Sequence, residues 1–484
     1  MKHLLIFVVS CVLGAPAFAA DAPAKKPNII VVLVDDLGWM DLRCQGNQRL
    51  DTPNIDRLAA EGMRFTDAYA AAPVCSPTRA AILTGQSPAR LRITTHITRG
   101  EFIPKGAVLS PAETLDHLPL EATTLAERLK EAGYATGFFG KWHLAGVPGK
   151  TGRGLEQFYP ERRGFDVNLG GCAHGGPPSF FDPYGIHNLP DRRQGEYLPY
   201  RLADETAAFI RANSARPFFI CWWDYAVHWP MQAPKELVAK YEKRSGRGLK
   251  NATYGAMVEA LDTALGRVLS ALKEAGISDH TLILFTSDNG GLDEVSDNRP
   301  LRAAKGFLYE GGIRVPLIVR WPGVVQPGTS CATPVISTDL FPTVLQASGL
   351  APKKDAPLDG ESLLPLLQQS GKLARKSLCF FHYPNYAFHS QNRLAGAIRK
   401  ESYKLIENFD DGSLELYNLA RDISETRNLV KDLPDKAAEL ARELHAWQKG
   451  VKAAMPVRRE GSVPLQSSKD STKPVNHPPP ISKE

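Results

Sequence analysis

The chain has 484 residues, of which 43% are apolar and 23% charged, and its formal net charge is +6. The length allows two or three domains of about 150 residues, and the composition excludes wholesale disorder, a collagen-like chain and a coiled coil. Its 58 basic and 52 acidic residues form no long block of basic charge, so nucleic acid is not a predicted partner.

The first 19 residues are predicted to be an export signal. Lys2 and His3 precede the apolar run from Leu4 to Leu13, and Ala17 and Ala19 fit a small-x-small cleavage site. We therefore expect a periplasmic or secreted protein. No later run reaches the roughly 18 apolar residues that a membrane span requires, so no membrane span is predicted. Six of the seven cysteines follow the signal, and their spacing leaves any disulfide pairing open.

Buried strands alternating with helices predict a large α/β domain over residues 20–370. The apolar, β-branched run from Asn28 to Val34 is typical of a strand covered on both faces, and Pro217 to Trp223 and Thr281 to Thr286 are similar. Helical patterns such as residues 125–132 lie between these runs. This order favours a mostly parallel sheet between helices.

The alternation ends near residue 370, and a small antiparallel sheet with a helix is predicted over residues 371–455. Three short strands are predicted there: Ala395 to Arg399, Tyr403 to Glu407 and Leu414 to Tyr417. A helix is predicted from Asp435 to Lys449. Residues 456–484 are rich in Pro, Ser and Lys and are predicted to be a disordered tail.

Two predicted strands run into oxygen-bearing side chains at their carboxyl ends. Asp35 and Asp36 follow the first strand, and Asp288 and Asn289 follow a later one. An Asp-Asp pair alone is usually a helix cap or a solvated pair. Two such ends at one edge of a parallel sheet instead favour a hard cation such as Ca²⁺, and the lack of adjacent His or Cys argues against zinc.

A short helix is predicted to begin at Cys75. Pro77 falls in its first turn and Gly85 ends it. A cysteine at a helix N-terminus is consistent with a low-pKa thiolate, but for the cysteine alone an inert buried thiol is the preferred interpretation. Only three residues separate Cys75 from Arg79, which is too few for a cysteine-phosphatase loop.

The segment from Cys75 to Gly85, C-x-P-x-R followed by T-G, resembles the signature of the type I sulfatases. A second signature of that family is matched from Gly133 to Leu144 and departs from it at Ala145. Further similar segments lie at residues 27–38, 227–230, 287–290 and 305–316. The resemblance implies an alkaline-phosphatase-like fold and hydrolysis of a sulfate ester.

Carried over residue by residue, the resemblance also implies a complete active site. The implied Ca²⁺ ligands, with Mg²⁺ as the alternative ion, are Asp35, Asp36, Cys75, Asp288 and Asn289. Cys75 would be oxidised to formylglycine, whose hydrate is the nucleophile, by a formylglycine-generating enzyme. Arg79 and Lys141 would stabilise its charge, and His143 would act as its base. His228 and Lys305 would bind the sulfate and help protonate the leaving oxygen.

A sulfated sugar is the predicted substrate, and two other functions are weighed against the hydrolysis of its sulfate ester. One is a phosphatase or phosphodiesterase of the same superfamily, which would usually present Ser or Thr in place of Cys75. The other is a catalytically silent carbohydrate-binding protein, which would be expected to lack part of this set of residues. Substrate choice is assigned to residues 97–109, 153–191 and 381–393. His174 is a further candidate for a polar group of the active site. The sequence leaves the oligomeric state open.

Overall fold

The computed structural model describes residues 26–460 except 101, 150–151, 354–355, 376–377 and 389–390. The predicted export signal and residues 461–484 of the predicted tail lie outside the described residues. The strands are β1 (Asn28–Val34), β2 (Met63–Phe65), β3 (Ala68–Tyr69), β4 (Leu109–Ser110), β5 (Ala135–Gly140), β6 (Val167–Leu169), β7 (Phe218–Trp223), β8 (Thr281–Ser287), β9 (Leu317–Arg320), β10 (Thr329–Cys331), β11 (Val335–Ile336), β12 (Leu378–Tyr383), β13 (Ala395–Lys400), β14 (Tyr403–Asn408), β15 (Leu414–Asn418) and β16 (Val457–Arg458). The α-helices are α1 (Pro53–Ala60), α2 (Cys75–Thr84), α3 (Pro88–Leu91), α4 (Leu125–Glu131), α5 (Leu198–Asn213), α6 (Lys235–Tyr241), α7 (Ala252–Glu274), α8 (Glu310–Ile313), α9 (Leu340–Ala347), α10 (Leu364–Leu367) and α11 (Pro434–Gly450).

The large sheet has eight strands in the order β10-β2-β9-β8-β1-β7-β5-β6. Strand β1 lies between β7 and β8, parallel to both, and β5 continues this parallel arrangement beside β7. Strand β9 runs antiparallel to β8 and β2. Every residue of β1 and β8 is buried. The predicted mostly parallel α/β fold is therefore confirmed.

The carboxyl ends of β1, β5, β7 and β8 meet at one edge of this sheet. Because these strands are parallel, the residues that follow them come together there. Asp35 follows β1, Lys141 follows β5, Asp224 follows β7 and Asp288 follows β8. This edge thus brings segments from distant parts of the chain to one place.

The smaller sheet consists of β12, β13, β14 and β15, all antiparallel to their neighbours. It confirms the three predicted strands, and helix α11 begins one residue before the predicted helix and ends one residue after it. Strand β12 was not predicted. Within residues 456–484, which were predicted to be a disordered tail, Val457 and Arg458 form β16, which pairs with β4. All six cysteines of the described residues are free thiols. No helix among the described residues combines the length and apolar character of a membrane span.

A buried charge cluster joins the smaller sheet to the larger part of the chain. Lys404, on β14, has a fully buried side chain whose Nζ lies 3.0 Å from Glu310 and 2.9 Å from Glu425. Glu310 begins α8 and also accepts a hydrogen bond from the hydroxyl of Tyr69 at 2.9 Å. Lys404 is therefore the cation that the two buried carboxylates share, and Glu310 also pairs with Arg314 at 3.3 Å.

Replacing this lysine by an apolar side chain should strongly destabilise the protein. We expect Lys404→Met to lower the free energy of unfolding by about 3 to 5 kcal/mol, because two buried carboxylates lose their shared cation. Lys400→Met is the matched control, since Lys400 is partly exposed and pairs with Glu439 and Glu443. The control should cost less than about 1 kcal/mol. Chemical denaturation of both variants measures the difference, and equal costs would contradict the assignment.

Candidate active site

Cys75 is the first residue of α2 and lies at the centre of the candidate site. Its side chain is buried, and the ten-residue helix places free backbone amides and the positive end of its dipole there. Sγ of Cys75 lies 3.3 Å from Nδ1 of His143. Ser76 supports this arrangement because its hydroxyl donates to the carbonyl of His143 at 3.0 Å. The predicted helix start is confirmed.

The imidazole of His143 is oriented by the carbonyl of Ile97, which lies 2.6 Å from Nε2. Because a carbonyl only accepts, Nε2 carries the proton, and Nδ1 is the basic nitrogen that faces Cys75. Burial, followed by the charge of Lys141, lowers the pKa of His143 well below its usual value. A neutral imidazole in this position is suited to accept a proton from a group at residue 75.

Arg79 lies one turn into α2 and ties it to the edge of the sheet. Its Nε and NH2 groups donate to one carboxylate oxygen of Asp288 at 3.0 and 2.6 Å. NH1 donates to the carbonyl of Lys141 at 2.7 Å. Burial acts to lower the pKa of Arg79, but Asp288 and Asp35 raise it above its usual value. The guanidinium is thus a fixed positive charge behind Cys75.

Asp35 and Asp36 each hold a lysine by a short ion pair. Nζ of Lys141 lies 2.7 Å from Asp35, and Nζ of Lys305 lies 2.7 Å from Asp36. Burial acts to raise the pKa of Asp36, but Lys305 and His228 lower it overall. For Asp35 the effect of burial is larger than the opposing effect of the Lys141 charge, so its pKa is raised. Asp36 also has a left-handed backbone, with φ of 63°, which costs a residue with a Cβ roughly 1 kcal/mol.

The second predicted pair, Asp288 and Asn289, meets the first. The backbone amide of Asp36 donates to Asp288 at 3.2 Å, and the side-chain amide of Asn289 donates to Asp36 at 2.8 Å. Both Asp288 and Asn289 are fully buried. The structure therefore brings together all four residues predicted to bind the metal at the end of the sheet.

This cluster fits a hard cation. Oδ1 of Asp35 and Oδ1 of Asn289 are buried and accept no hydrogen bond from any described residue. Asp35, Asp36 and His228 offer ligand atoms that lie within 4.8 Å of one another. Buried oxygens without donors are costly unless a cation or another group meets them. His228 was predicted to bind sulfate, and its position beside two carboxylates also makes it a candidate ligand of the cation.

His228 approaches the cluster from the loop after β7. Its Nε2 lies 3.8 Å from Asp36, and its Nδ1 lies 2.9 Å from the carbonyl of Trp229, so Nδ1 carries the proton. Burial, followed by Lys305, lowers the pKa of His228 well below its usual value. The residues predicted for catalysis and for metal binding thus lie in one cluster, in which Cys75 contacts His143, and Asp36 lies beside both His228 and Lys305.

Two glycines that the sequence did not single out each lie against one of the two histidines. A Cβ on Gly175 would lie 2.9 Å from the ring of His143, and one on Gly176 would lie 2.8 Å from the ring of His228. The additional candidate, His174, precedes them, and its ring packs against Gly152 instead. The sequence signal that could have identified these glycines is a Gly-Gly pair directly after the candidate His174.

His96 is a third residue near the site that the sequence did not single out. It lies just before Ile97, whose carbonyl orients His143, and beside Thr95, whose hydroxyl is 3.3 Å from Nδ1 of His96. Burial, followed by the charge of Lys305, lowers the pKa of His96 to about 3. No motif covers this position, so the sequence carried no direct signal for it.

Comparisons with known proteins agree over most of the chain. The family model described as Sulfatase matches residues 27–350, and the model described as N-sulphoglucosamine sulphohydrolase, C-terminal, matches residues 303–452. A protein of Formosa agariphila named Sulfatase is 31% identical over 92% of this chain and 94% of its own length. Human arylsulfatase A is 34% identical over 90% of this chain and 91% of its own length.

Among solved structures, the crystal structure of Ps i-CgsB in complex with k-i-k-neocarrahexaose is similar to this chain. The two share 30% sequence identity with a TM-score of 0.75, over 88% of this chain and 93% of that protein. The phosphonate monoester hydrolase of Agrobacterium radiobacter is 21% identical with a TM-score of 0.65, over 90% of this chain and all of that one. At that identity the second likeness concerns the fold alone.

Proposed function

The chain belongs to the sulfatase family and is a sulfuric ester hydrolase, and we propose that its substrate is a sulfate ester on a carbohydrate. The observation that carries the proposed site is the meeting of Cys75, at a helix start, with a neutral His143. Two lysine-bound carboxylates lie in the same buried cluster. Such a cluster can activate a nucleophile and neutralise an anionic ester.

Cys75 is the residue that we assign as the nucleophile, after its conversion to formylglycine by a generating enzyme of the host. The modified side chain would supply a hydrated aldehyde, whose hydroxyl is a nucleophile toward sulfur as the bond from sulfur to the leaving oxygen breaks. Sγ of Cys75 marks the position where such an oxygen would stand, 3.3 Å from Nδ1 of His143. His143 accepts the proton of that hydroxyl at Nδ1, because its Nε2 proton is held by Ile97.

The buried cations have two roles in the cluster: they balance the charge around residue 75, and they bind the sulfate. Arg79 and Lys141 keep the charge around residue 75 balanced, since both are buried and both pair with Asp35. Beside Asp36, Lys305 and His228 bind the sulfate group, and the ammonium of Lys305, the charged member of this pair, helps to protonate the leaving oxygen. This arrangement places positive charge where the sulfuryl oxygens become more negative.

Ca²⁺ is the cation that the donor set fits best, with Mg²⁺ as the alternative. Asp35, Asp36, Asp288 and Asn289 would hold it together with the modified residue 75. The support is the pair of buried oxygens on Asp35 and Asn289 that accept no hydrogen bond from the described residues, and the preference of hard cations for such ligands. When bound, the ion would supply positive charge to the sulfate oxygens.

A carbohydrate substrate is supported by the surroundings of the site and by similar proteins. Trp229, next to His228, is 45% exposed, and Phe388, near Lys305, is 39% exposed, and exposed aromatic rings suit the apolar faces of sugars. N-acetylgalactosamine-6-sulfatase of rat is 36% identical over 76% of this chain and 70% of its own length. Export, predicted from residues 1–19, would bring the enzyme to sulfated polysaccharides in the periplasm or outside the cell.

The test is the release of free sulfate by protein made in a host with formylglycine-generating activity. The panel contains galactose 6-sulfate, N-acetylgalactosamine 6-sulfate, glucosamine 6-sulfate and carrageenan oligosaccharides, each beside a phosphate ester of the same type of sugar. We expect at least one sulfated sugar to have a kcat/KM at least about tenfold above its phosphate counterpart. Faster turnover of the phosphate esters would instead support the phosphatase alternative.

A further inference from the structure

Two side chains outside the charged cluster lie beside Lys305, where the site meets solvent. Nζ of Lys305 lies 5.6 Å from the ring centroid of Phe388, and the ring of His96 lies edge-on to Phe388 at a centroid distance of 5.9 Å. Lys305 is buried, whereas Phe388 is 39% exposed. If Lys305 binds the sulfate, the part of the substrate that is attached to the sulfate would therefore lie next to these two rings.

His96 is held firmly at this place by its neighbours in the chain. The backbone amide of Ile97 donates to the hydroxyl of Ser76 at 3.2 Å, and its carbonyl orients His143. On the other side, the hydroxyl of Thr94 donates to Asn385 at 2.7 Å. The segment around His96 is thus fixed both to the helix of the nucleophile and to the loop that carries Phe388.

The chemistry of His96 suits an uncharged polar partner. Its Nδ1 lies near the hydroxyl of Thr95, and its Nε2 makes no hydrogen bond with another part of the described chain. Burial and the nearby positive charge of Lys305 keep the ring neutral. A neutral imidazole can donate one hydrogen bond to a hydroxyl group or accept one from it.

We propose that His96 and Phe388 form the sugar subsite of this enzyme. His96 makes a hydrogen bond to a hydroxyl of the ring that carries the sulfate, and Phe388 packs against the apolar face of that ring. The inference rests on the proposed function, because it requires a carbohydrate substrate. It makes His96 a residue that determines specificity.

The test compares two substrates with different leaving groups. One is the sulfated monosaccharide of the panel with the highest kcat/KM, and the other is 4-nitrophenyl sulfate, whose ring has no hydroxyl. We expect His96→Ala to lower the ratio of kcat/KM for the sugar to that for the aryl ester by about tenfold, the effect of one lost hydrogen bond. The matched control is His445→Ala on α11, since His445 is exposed and contacts Glu407, and it should leave the ratio unchanged.

An unchanged ratio in active His96→Ala protein would overturn the subsite while leaving the proposed function intact. Failure of the unaltered enzyme to act on any sulfated sugar, with 4-nitrophenyl sulfate still hydrolysed, would overturn both. Phe388→Leu provides a second test that does not depend on the folding of the first variant. Because Phe388 is exposed, this variant should fold and raise KM for the sugar by about fivefold; an unchanged KM for the sugar would remove Phe388 from the subsite and overturn it.

Discussion

Cys75→Ala protein should release sulfate at least about 10⁴-fold more slowly than the unaltered enzyme, since removal of a nucleophile costs most of the catalysed rate. Alanine cannot be oxidised to an aldehyde, so neither the thiol nor its modified form can act. The side chain is buried at the first position of α2, where alanine fits without adding volume. Free-sulfate release measures the effect, and thermal unfolding verifies that the variant is folded.

Cys331→Ala is the matched control for this variant. Cys331 lies on β10, an edge strand of the large sheet that pairs with β2. This control should retain the activity of the unaltered enzyme. Mass spectrometry of the peptide that contains Cys75 should show the aldehyde or its hydrate in active protein. An unmodified thiol in fully active enzyme would contradict the mechanism, as would activity of the Cys75→Ala protein.

Much of the site's placement follows from sheet geometry, which the sequence reports well. Asp36 and Asp288 are 252 residues apart but in contact. Their approach could be predicted because each follows a buried strand of a parallel sheet, and such strands end at one edge. The same logic applies to the end of β7, which leads to His228 after a short loop.

The lysines show where residue patterns alone are insufficient. Lys141 and Lys305 would, in isolation, be taken for ordinary surface lysines, yet both are buried against Asp35 and Asp36. Only the resemblance to a family singled them out. Their burial depends on the carboxylates they meet, and these come from other strands, so no local pattern could reveal it.

His96, the role of Gly175 and the short strand β16 depend on contacts that no periodic pattern in the sequence specifies. His96 meets Phe388 through a contact between distant loops, and Gly175 is required by the closeness of the His143 ring. Strand β16 has only two residues, in a Pro-rich and polar stretch, and forms because β4 offers it a partner. In each case the determining interaction is tertiary, which leaves no periodic signal.

Removal of divalent cations should lower both activity and stability, and one carboxylate should control both effects. Addition of Ca²⁺ at about 100 times its Kd to chelator-treated protein would stabilise the folded state by about 2.7 kcal/mol and raise the unfolding midpoint on the order of 5 °C. We expect Asp36→Asn to abolish this rise and to lower kcat/KM by about 10⁴-fold. The loss combines a weakened cation site with a Lys305 that has lost its charged partner, each costing about 10² to 10³.

The calcium-dependent rise of the unfolding midpoint separates the loss of a cation from a general loss of activity. Asp279→Asn is the control, because the side chain of Asp279 is 93% exposed and far from the strand ends that form the cluster; it should keep both the rise and the activity. A parallel titration with Mg²⁺ identifies the preferred ion, which should be Ca²⁺ because the donors are oxygens drawn from several segments. If chelated protein kept its activity and its unfolding midpoint, the buried oxygens of Asp35 and Asn289 would need another partner, and the cation assignment would be wrong.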